Sequence, residues 1–297
     1  MEDSSDPVAK AALRLAGRDF QFESAQQPSF PEVFGQFIAP HAGCEPAARY
    51  QVLPACTSAL PPVESGRIGW QSDHWCLARA ADGTDLLLAI HVLPDEHPLT
   101  VARFRADFSG GELLPIFGRH GAPSPHAFNY PCDQVAVLNR LQRFGVVVVH
   151  GGAVSFNGQG LLFCGRSGAG KTTLSRLCRD AGATLLNDDR QFIWSDAGGP
   201  WLAPTPWHGS EPEVNHRTVP LRAILHLRHA PAHALAPLRG ADAAARLLGN
   251  TVAPFYFADA MERVLAICDG LTAHVPSYQF DFAPTADAIG SIRHLAA

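Results

Sequence analysis

The chain has 297 residues, of which 46% are hydrophobic and 17% charged, and its formal net charge is −5. These values indicate a globular protein with a sizeable core, arranged as one large domain or two modest ones. The acidic balance and the lack of a basic run argue against a nucleic-acid or anionic-membrane partner.

The chain starts with "MEDSSDPVAK", which is acidic and lacks the apolar core of a signal peptide. Its longest apolar stretches, such as residues 144–149, are too short to span a bilayer. We therefore expect a soluble, cytoplasmic protein that does not associate with membranes. Seven cysteines without a C-x-x-C pair favour free thiols over a disulfide or zinc framework.

Residues 1–125 are predicted to form a β-rich region. "HWCLARAADGTDLLLAIHVLP" predicts two strands around a turn at Asp82 and Gly83, and "TVARFRADF" alternates as a half-buried strand does. Residues 120–131, "HGAPSPHAFNYP", are the predicted linker to a second domain over residues 126–297.

The second domain starts with a predicted helix, "DQVAVLNRLQRFG", with Asp133 as N-cap and Gly145 beyond its end. "VVVVH" then predicts a short buried strand over residues 146–150. "AVSF" and "GLLFCG" follow as two strands, joined by a tight turn at Asn157 and Gly158. This hairpin predicts a mixed α/β fold with a partly antiparallel sheet, unlike a run of βαβ units.

The run "GRSGAGKT" has the spacing of a phosphate-binding (Walker A) loop between an apolar strand and a helical pattern. Such a loop holds phosphates with main-chain N–H groups and with the positive end of the following helix. Its lysine reaches the β- and γ-phosphates, and its threonine hydroxyl can ligate Mg²⁺. The predicted nucleotide-binding residues are Gly165, Arg166, Ser167, Gly168, Ala169, Gly170, Lys171, Thr172 and Thr173.

Two acids, Asp188 and Asp189, follow the predicted strand "ATLL". One carboxylate there can hold Mg²⁺ and the other can accept a proton from a hydroxyl nucleophile, as phosphoryl transfer requires. A solvated turn is the alternative interpretation. His150, at the end of "VVVVH", is either a structural residue or a residue that faces the phosphates. The histidines 226, 229 and 233 need not share a face, so we do not predict a metal site there.

"VVVHGGAV", "GLLFCGRSGAGKTTLSRL" and "GATLLNDDR" together resemble the catalytic core of HPr kinase/phosphorylase, which is related to phosphoenolpyruvate carboxykinases. The resemblance covers residues 128–285 and is closest to HPr kinase-related proteins of bacterial gene clusters, including those that phosphorylate lasso peptides. It implies an ATP- and Mg²⁺-dependent kinase that acts on a hydroxyl, typically that of a serine. It also implies catalytic roles for His150, Lys171, Asp188 and Asp189, and metal binding by Thr172 with the two acids.

The segment "TPWHGSEPEVNHRTVP" stands where bifunctional HPr kinase/phosphorylases carry a glycine-rich signature. Dephosphorylation by phosphate and HPr as the substrate are therefore not expected from the resemblance. This segment is either a polar surface loop or a cover for the nucleotide or acceptor, with Glu211 as a further metal-ligand candidate. Arg166 and Arg190 can neutralise the transferred phosphate, and Arg190 can alternatively brace the acid pair.

The predicted function is transfer of the γ-phosphoryl group of ATP to a serine of a peptide or protein. A kinase for a small hydroxylated metabolite and a nucleotide-sensing protein with little turnover remain alternatives. The sequence leaves the acceptor and the oligomeric state open, and it allows a homo-oligomer.

Overall fold

The computed structural model describes residues 8–40, 45–54, 60–90, 99–115, 126–211 and 214–297. The chain divides into two compact units, residues 1–140 and residues 141–297, here called the amino-terminal and carboxyl-terminal units. Residues 120–125 of the predicted linker lie outside the described residues.

The amino-terminal unit is built on one nine-stranded sheet of order β3-β1-β2-β4-β9-β8-β7-β6-β5. β4 runs parallel to both β2 and β9, and the other neighbours are antiparallel. Its strands are β1 (Ala9–Leu15), β2 (Arg18–Ser24), β3 (Ile38–Ala39), β4 (Ala48–Val52), β5 (Ile68–Gln71), β6 (Trp75–Arg79), β7 (Asp85–Ile90), β8 (Leu99–Arg105) and β9 (Gly110–Leu113). Short 3-10 helices span Glu32–Phe37 and Ser65–Arg67.

The sheet of the amino-terminal unit confirms the predicted hairpin, because β6 and β7 pair antiparallel around Asp82 and Gly83. The predicted strand "TVARFRADF" corresponds to β8, which ends at Arg105, so its last three residues lie beyond the strand. One face of the sheet is covered by an aromatic core, since alternate residues of a strand point to the same face. Its fully buried rings are those of Phe20, Phe22, Phe34, Tyr50, Phe104, Phe108 and Phe128.

Helix α1 (Cys132–Leu141) follows and continues as a 3-10 turn over Gln142–Phe144. Gly145 ends it in the left-handed region at φ 75°, as the sequence predicts. Asp133 lies inside the first turn, where its carboxylate accepts a hydrogen bond from the Gln134 N–H. The prediction of Asp133 as N-cap is therefore wrong by two positions, because the helix begins at Cys132 and its N-cap position is 131.

The carboxyl-terminal unit has a mixed α/β fold. Its strands are β10 (Val147–Phe156), β11 (Gln159–Cys164), β12 (Thr184–Asn187), β13 (Arg190–Asp196), β14 (Gly199–Pro204), β15 (Val219–His229), β16 (Ala234–Leu238) and β17 (Ser277–Phe282). Its helices are α2 (Lys171–Asp180), α3 (Gly240–Leu248), α4 (Ala258–His274) and α5 (Ala288–Ile292), followed by a 3-10 turn at Arg293–Ala296. The strand order is β11-β10-β13-β14-β15-β17-β16, with β12 on β10 and a parallel pairing of β11 with β15.

β10 is one continuous strand of ten residues that includes His150. The sequence predicts two strands, "VVVVH" and "AVSF", interrupted by Gly151 and Gly152. The structure corrects this, because both glycines are extended and paired with Cys164 and Phe163. A Cβ on Gly151 would lie 2.7 Å from the Phe163 carbonyl oxygen, so the glycine permits close pairing of β10 with β11.

The predicted turn at Asn157 and Gly158 is confirmed, with φ values of 51° and 81°. The strand before the glycine-rich loop is therefore antiparallel to its predecessor, as expected.

Two buried clusters lie on opposite faces of the central strands. Leu161 and Phe163 of β11 pack with α2 and α5, while Leu162 and Cys164 pack with α3 and α4. This alternation follows from the two-residue period of a strand. It rigidly places the carboxyl end of β11, from which the glycine-rich loop emerges.

The five cysteines within the described residues are free and buried, which agrees with the expectation of free thiols. Within the same part of the chain, no helix is long and apolar enough to cross a membrane.

Candidate active site

The glycine-rich loop joins the buried end of β11 to the first turn of α2. Gly170 precedes α2 with φ 93°, and a Cβ there would lie 2.6 Å from the ring of Phe282. Both the backbone conformation and the close approach therefore require glycine at this position.

Several main-chain N–H groups of this loop are available to a ligand. Those of Ser167, Gly168 and Gly170 donate to no acceptor among the described residues. The first N–H groups of a helix also lack partners within the helix, so the start of α2 adds donors and a positive dipole end. This arrangement can hold an anion.

Lys171 is the first residue of α2 and is only 8% exposed. Its Nζ donates to the carbonyl oxygens of Gly165 at 2.8 Å and Arg166 at 3.3 Å. Burial lowers the pKa of Lys171 below its usual range, while Cys164 and Asp189 act in the opposite direction. The ammonium group is thus held at the base of the loop.

Asp189 lies beside His150, whose strand β10 pairs with β13 directly after the acid. The distance from His150 Nδ1 to Asp189 Oδ1 is 3.2 Å, and Arg190 Nε lies 3.4 Å from Asp189 Oδ2. The hydrogen bond from His150 is the largest cause that lowers the pKa of Asp189, and burial opposes it. His150 therefore orients Asp189 and favours its charged form, while Arg190 adds a charge contact from an Nε atom that makes no hydrogen bond to any described residue.

Asp188 has a different environment, because its carboxylate holds the segment after β14. It accepts hydrogen bonds from Gly209 N–H at 2.8 Å, from Glu211 N–H at 3.0 Å and from the Ser210 hydroxyl at 3.2 Å. The Asp188 side chain is buried, with 4% of the residue exposed. Asn187 adds two hydrogen bonds from its amide to the carbonyls of Thr205 and Trp207.

We expect Asp188→Asn to lower the free energy of unfolding by about 1–3 kcal/mol, since it weakens hydrogen bonds to a buried charged acceptor. Urea unfolding followed by tryptophan fluorescence measures this change. Asp180→Asn, at the exposed end of α2, is the matched control and should leave the transition in place. An unchanged transition in Asp188→Asn would show that these hydrogen bonds contribute nothing.

These side chains meet in one cleft of about 330 Å³. Its lining consists of His150, Ser167, Gly168, Gly170, Lys171, Thr172, Thr173, Asp188, Asp189, Gly209, Ser210 and His229. All four residues predicted to be catalytic are among them. The predicted nucleotide-binding residues that do not line the cleft are Gly165, Arg166 and Ala169.

Glu211 is the one predicted metal ligand that the structure places away from the cleft lining. Its carboxylate pairs with Arg176 at 2.6 Å and with Arg179 at 3.4 Å. The hydrogen bond from Arg176 is the main cause that lowers the pKa of Glu211. Among the described residues, no group of three or more His, Cys, Asp or Glu side chains can hold a metal ion. A cation in this cleft would thus need ligand oxygens beyond these side chains.

The described part of the segment "TPWHGSEPEVNHRTVP" lies between β14 and β15, as predicted for a loop between strands, except that its last two residues begin β15. Trp207 is buried rather than part of a polar surface. Glu213 lies outside the described residues.

Two residues of the site were not singled out from the sequence. Asn250 accepts a hydrogen bond from Gly165 N–H through Oδ1 at 3.0 Å, and its main-chain carbonyl accepts one from His150 N–H at 2.7 Å. His229 lies 3.0 Å from the Gly168 carbonyl oxygen and stacks on Phe282. In the sequence, His229 is distinguished only as a member of the histidine cluster 226, 229 and 233. No local pattern around Asn250 indicates that it joins the loop to β10.

Residues 132–266 match the family model described as SynChlorMet cassette protein ScmC, which covers less than half of the chain. No curated protein matches. Among solved structures, the chain is similar to the Hpr(Ser) kinase/phosphatase from Coxiella burnetii at 12% identity, over 50% of this chain and 90% of that one. The TM-score of that pair is 0.29, which is too low for any conclusion about this chain.

Proposed function

We propose that the protein is an ATP- and Mg²⁺-dependent kinase that phosphorylates a hydroxyl group, with a serine of a peptide or protein as the acceptor. The observation that carries this proposal is the joint lining of one cleft by Lys171, Thr172, Asp188 and Asp189. Phosphoryl transfer needs a phosphate cradle, a cation site and a base at one place, and these residues supply all three.

The residues of the cleft fit the phosphates of a nucleotide. Unpartnered N–H groups, the start of α2 and a buried lysine supply the positive potential that phosphates need. The volume of about 330 Å³ is in the range of small-molecule sites.

The same cleft fits Mg²⁺ as well. Magnesium sites commonly use one or two carboxylates together with phosphate and water oxygens, so three acidic side chains are not required. Thr172 and the two aspartates are the oxygen ligands that this chain would supply. When bound, Mg²⁺ would neutralise charge on the phosphates.

The environments of the two acids support different roles. Asp189 is held by His150 and Arg190 at the cleft, with a pKa that keeps it ionised, so we assign it as the base for the acceptor hydroxyl. Asp188 has most of its acceptor capacity occupied by residues 209–211. We assign it to hold this segment against the cleft and to offer a remaining lone pair to the cation.

The test is mass spectrometry of candidate acceptors incubated with the full chain, ATP and Mg²⁺. We expect a phosphate mass added to a serine of a peptide or protein, and no addition with the Asp189→Asn variant. If only a small metabolite gains a phosphate, the protein is a kinase, but its acceptor is not a peptide or protein. ATP binding without any transfer, across a broad acceptor set, would favour a nucleotide sensor and reject the kinase.

Removal of divalent cations is expected to abolish phosphoryl transfer, because Mg²⁺ would supply the positive charge that neutralises the phosphates during transfer. The measurement is transfer rate in excess chelator, then after Mg²⁺ is restored. Recovery of the rate with Mg²⁺ separates metal loss from damage to the protein. Full activity in chelator would contradict the proposed magnesium requirement.

A further inference from the structure

The amino-terminal unit has a cleft of its own, with a volume of about 410 Å³. It lies on the polar face of the sheet, opposite the aromatic core, and is lined by residues of β2, β4, β7, β8 and β9. Three arginines and three acidic residues contribute to the lining. The register of the strands places these charges in rows across the sheet.

One row consists of Gln51, Glu112 and Arg103, which are direct partners on β4, β9 and β8. In this row the central strand β9 carries a carboxylate, and the neighbouring strand β8 carries a guanidinium. Glu112 is one of the acids that raise the pKa of Arg103, after Asp85 as the largest cause. Opposite charges thus face each other across the strands, as stable cross-strand pairs do.

The next row on the same face has a glycine, which lacks a side chain, at its centre. Arg49 of β4 pairs with Gly110 of β9, and the pairing of Phe104 with Gly111 puts Arg105 of β8 at the level of Gly110. Arg105 Nη1 lies 3.5 Å from the position that a Cβ on Gly110 would take. That Cβ would lie only 2.3 Å from the Arg49 carbonyl oxygen, so position 110 requires glycine and places no side chain of its own between the two arginines.

Two of the three acids of the cleft are paired with other residues. Arg103 binds Asp85 through Nε at 2.8 Å and Asp82 through Nη2 at 2.9 Å. Glu23 pairs with Lys10 at 3.0 Å. Asp85 is the direct partner of Arg105 on β7, but its carboxylate is bound by Arg103, and no ion pair joins it to Arg105.

Arg49 and Arg105 form no ion pair with any residue that the structure describes. The side chain of Arg49 makes one long contact, from Nε to Gln21 Oε1 at 3.4 Å. Both guanidinium groups are always charged and carry several donors. The row therefore presents two positive groups on either side of a position that lacks a side chain.

We propose that this cleft binds a carboxylate between Arg49 and Arg105, which both line it. Adjacent strands are ~4.8 Å apart, so arginines on the two flanking strands can both reach one anion above the central strand. Planar guanidinium groups bind carboxylates through paired, charge-assisted hydrogen bonds.

The charge of the cleft favours a carboxylate over a phosphate. Glu112 and Asp85 lie in or beside the two rows, and each would repel a phosphate dianion more strongly than a carboxylate monoanion. The carboxylate can come from the acidic side chain or end of a peptide, or from a small carboxylic acid.

The test is calorimetric titration of the full chain with three probes, namely an end-capped glutamate–glycine peptide, succinate and inorganic phosphate. Arg49→Gln and Arg105→Gln are each expected to weaken binding of the carboxylate probe by roughly 10-fold to 100-fold, the loss for hydrogen bonds to a charged group. Arg79→Gln, on an exposed position of β6, is the matched control and should bind as the parent does. Arg105→Lys keeps the positive charge but loses the paired donors of the guanidinium group. It should therefore show an intermediate loss of affinity.

Binding of the peptide alone would identify a peptide ligand, and binding of succinate would identify a small acid. Both outcomes support the site if the two glutamine variants lose the binding. No binding of either carboxylate at millimolar concentration, or equal binding by the glutamine variants with unchanged thermal melting, would overturn the proposal. Preferred binding of phosphate would overturn the assignment to a carboxylate. None of these measurements uses ATP, so the kinase proposal stands or falls separately.

Discussion

Replacement of Asp189 with asparagine is expected to lower kcat for phosphoryl transfer by roughly 10²–10⁴, the usual contribution of a general base. The asparagine carbonyl can still accept the hydrogen bond that joins Asp189 to His150, so the local structure should be retained. ATP binding should therefore change little. Single-turnover transfer and nucleotide titration, each across a range of Mg²⁺ concentrations, separate the chemical step from binding.

Two further aspartate variants make this experiment specific. Asp180→Asn removes a carboxylate from the exposed end of α2 and should transfer phosphate at the parent rate. Asp188→Asn should also lose transfer, but with an altered Mg²⁺ titration, because Asp188 is the acid assigned to the cation. If Asp189→Asn transfers phosphate at the parent rate, Asp189 is not the base and His150 becomes the next candidate.

Lys171→Ala should reduce turnover by ~10²–10³, the loss typical of one preorganised electrostatic donor. Lys171 is buried at the base of the loop, where its ammonium group donates to the carbonyls of Gly165 and Arg166. The effect should appear in kcat and kcat/KM together if the ammonium group acts in the transition state. Steady-state kinetics with ATP as the varied substrate provide the measurement.

The chain offers a natural control for Lys171, because Lys10 is its only other lysine. Lys10 pairs with Glu23 on the surface of β1 and β2, so Lys10→Ala should leave turnover unchanged. Thermal melting of Lys171→Ala must also be compared with the parent, since the ammonium group donates to two loop carbonyls. Parent-like turnover in a folded Lys171→Ala protein would remove the loop from the mechanism.

Local patterns predicted the elements that carry the candidate site. A tight turn at Asn157 and Gly158 requires residues that tolerate positive φ. These two residue types are therefore enough to predict the β10–β11 hairpin. The spacing of the loop from Gly165 to Thr172 likewise depends on short-range constraints of a strand, a turn and a helix. The acid pair after β12 was recognised because it follows a strand end.

The wrong prediction of two strands in place of β10 has a physical origin. Gly151 and Gly152 suggest a break after His150, yet close pairing with β11 keeps them extended inside β10. Propensity describes a residue in isolation, whereas the neighbouring strand decides whether a glycine ends a strand or continues it.

The sequence by itself determined the mixed α/β character of the chain, the glycine-rich loop and the residue types available for chemistry. Only the tertiary structure decided which groups meet. It separated Asp189, beside His150, from Asp188, which binds residues 209–211, and it brought Asn250 to Gly165 across 85 positions of sequence. Such contacts depend on strand register and packing between distant segments, and no local pattern encodes them.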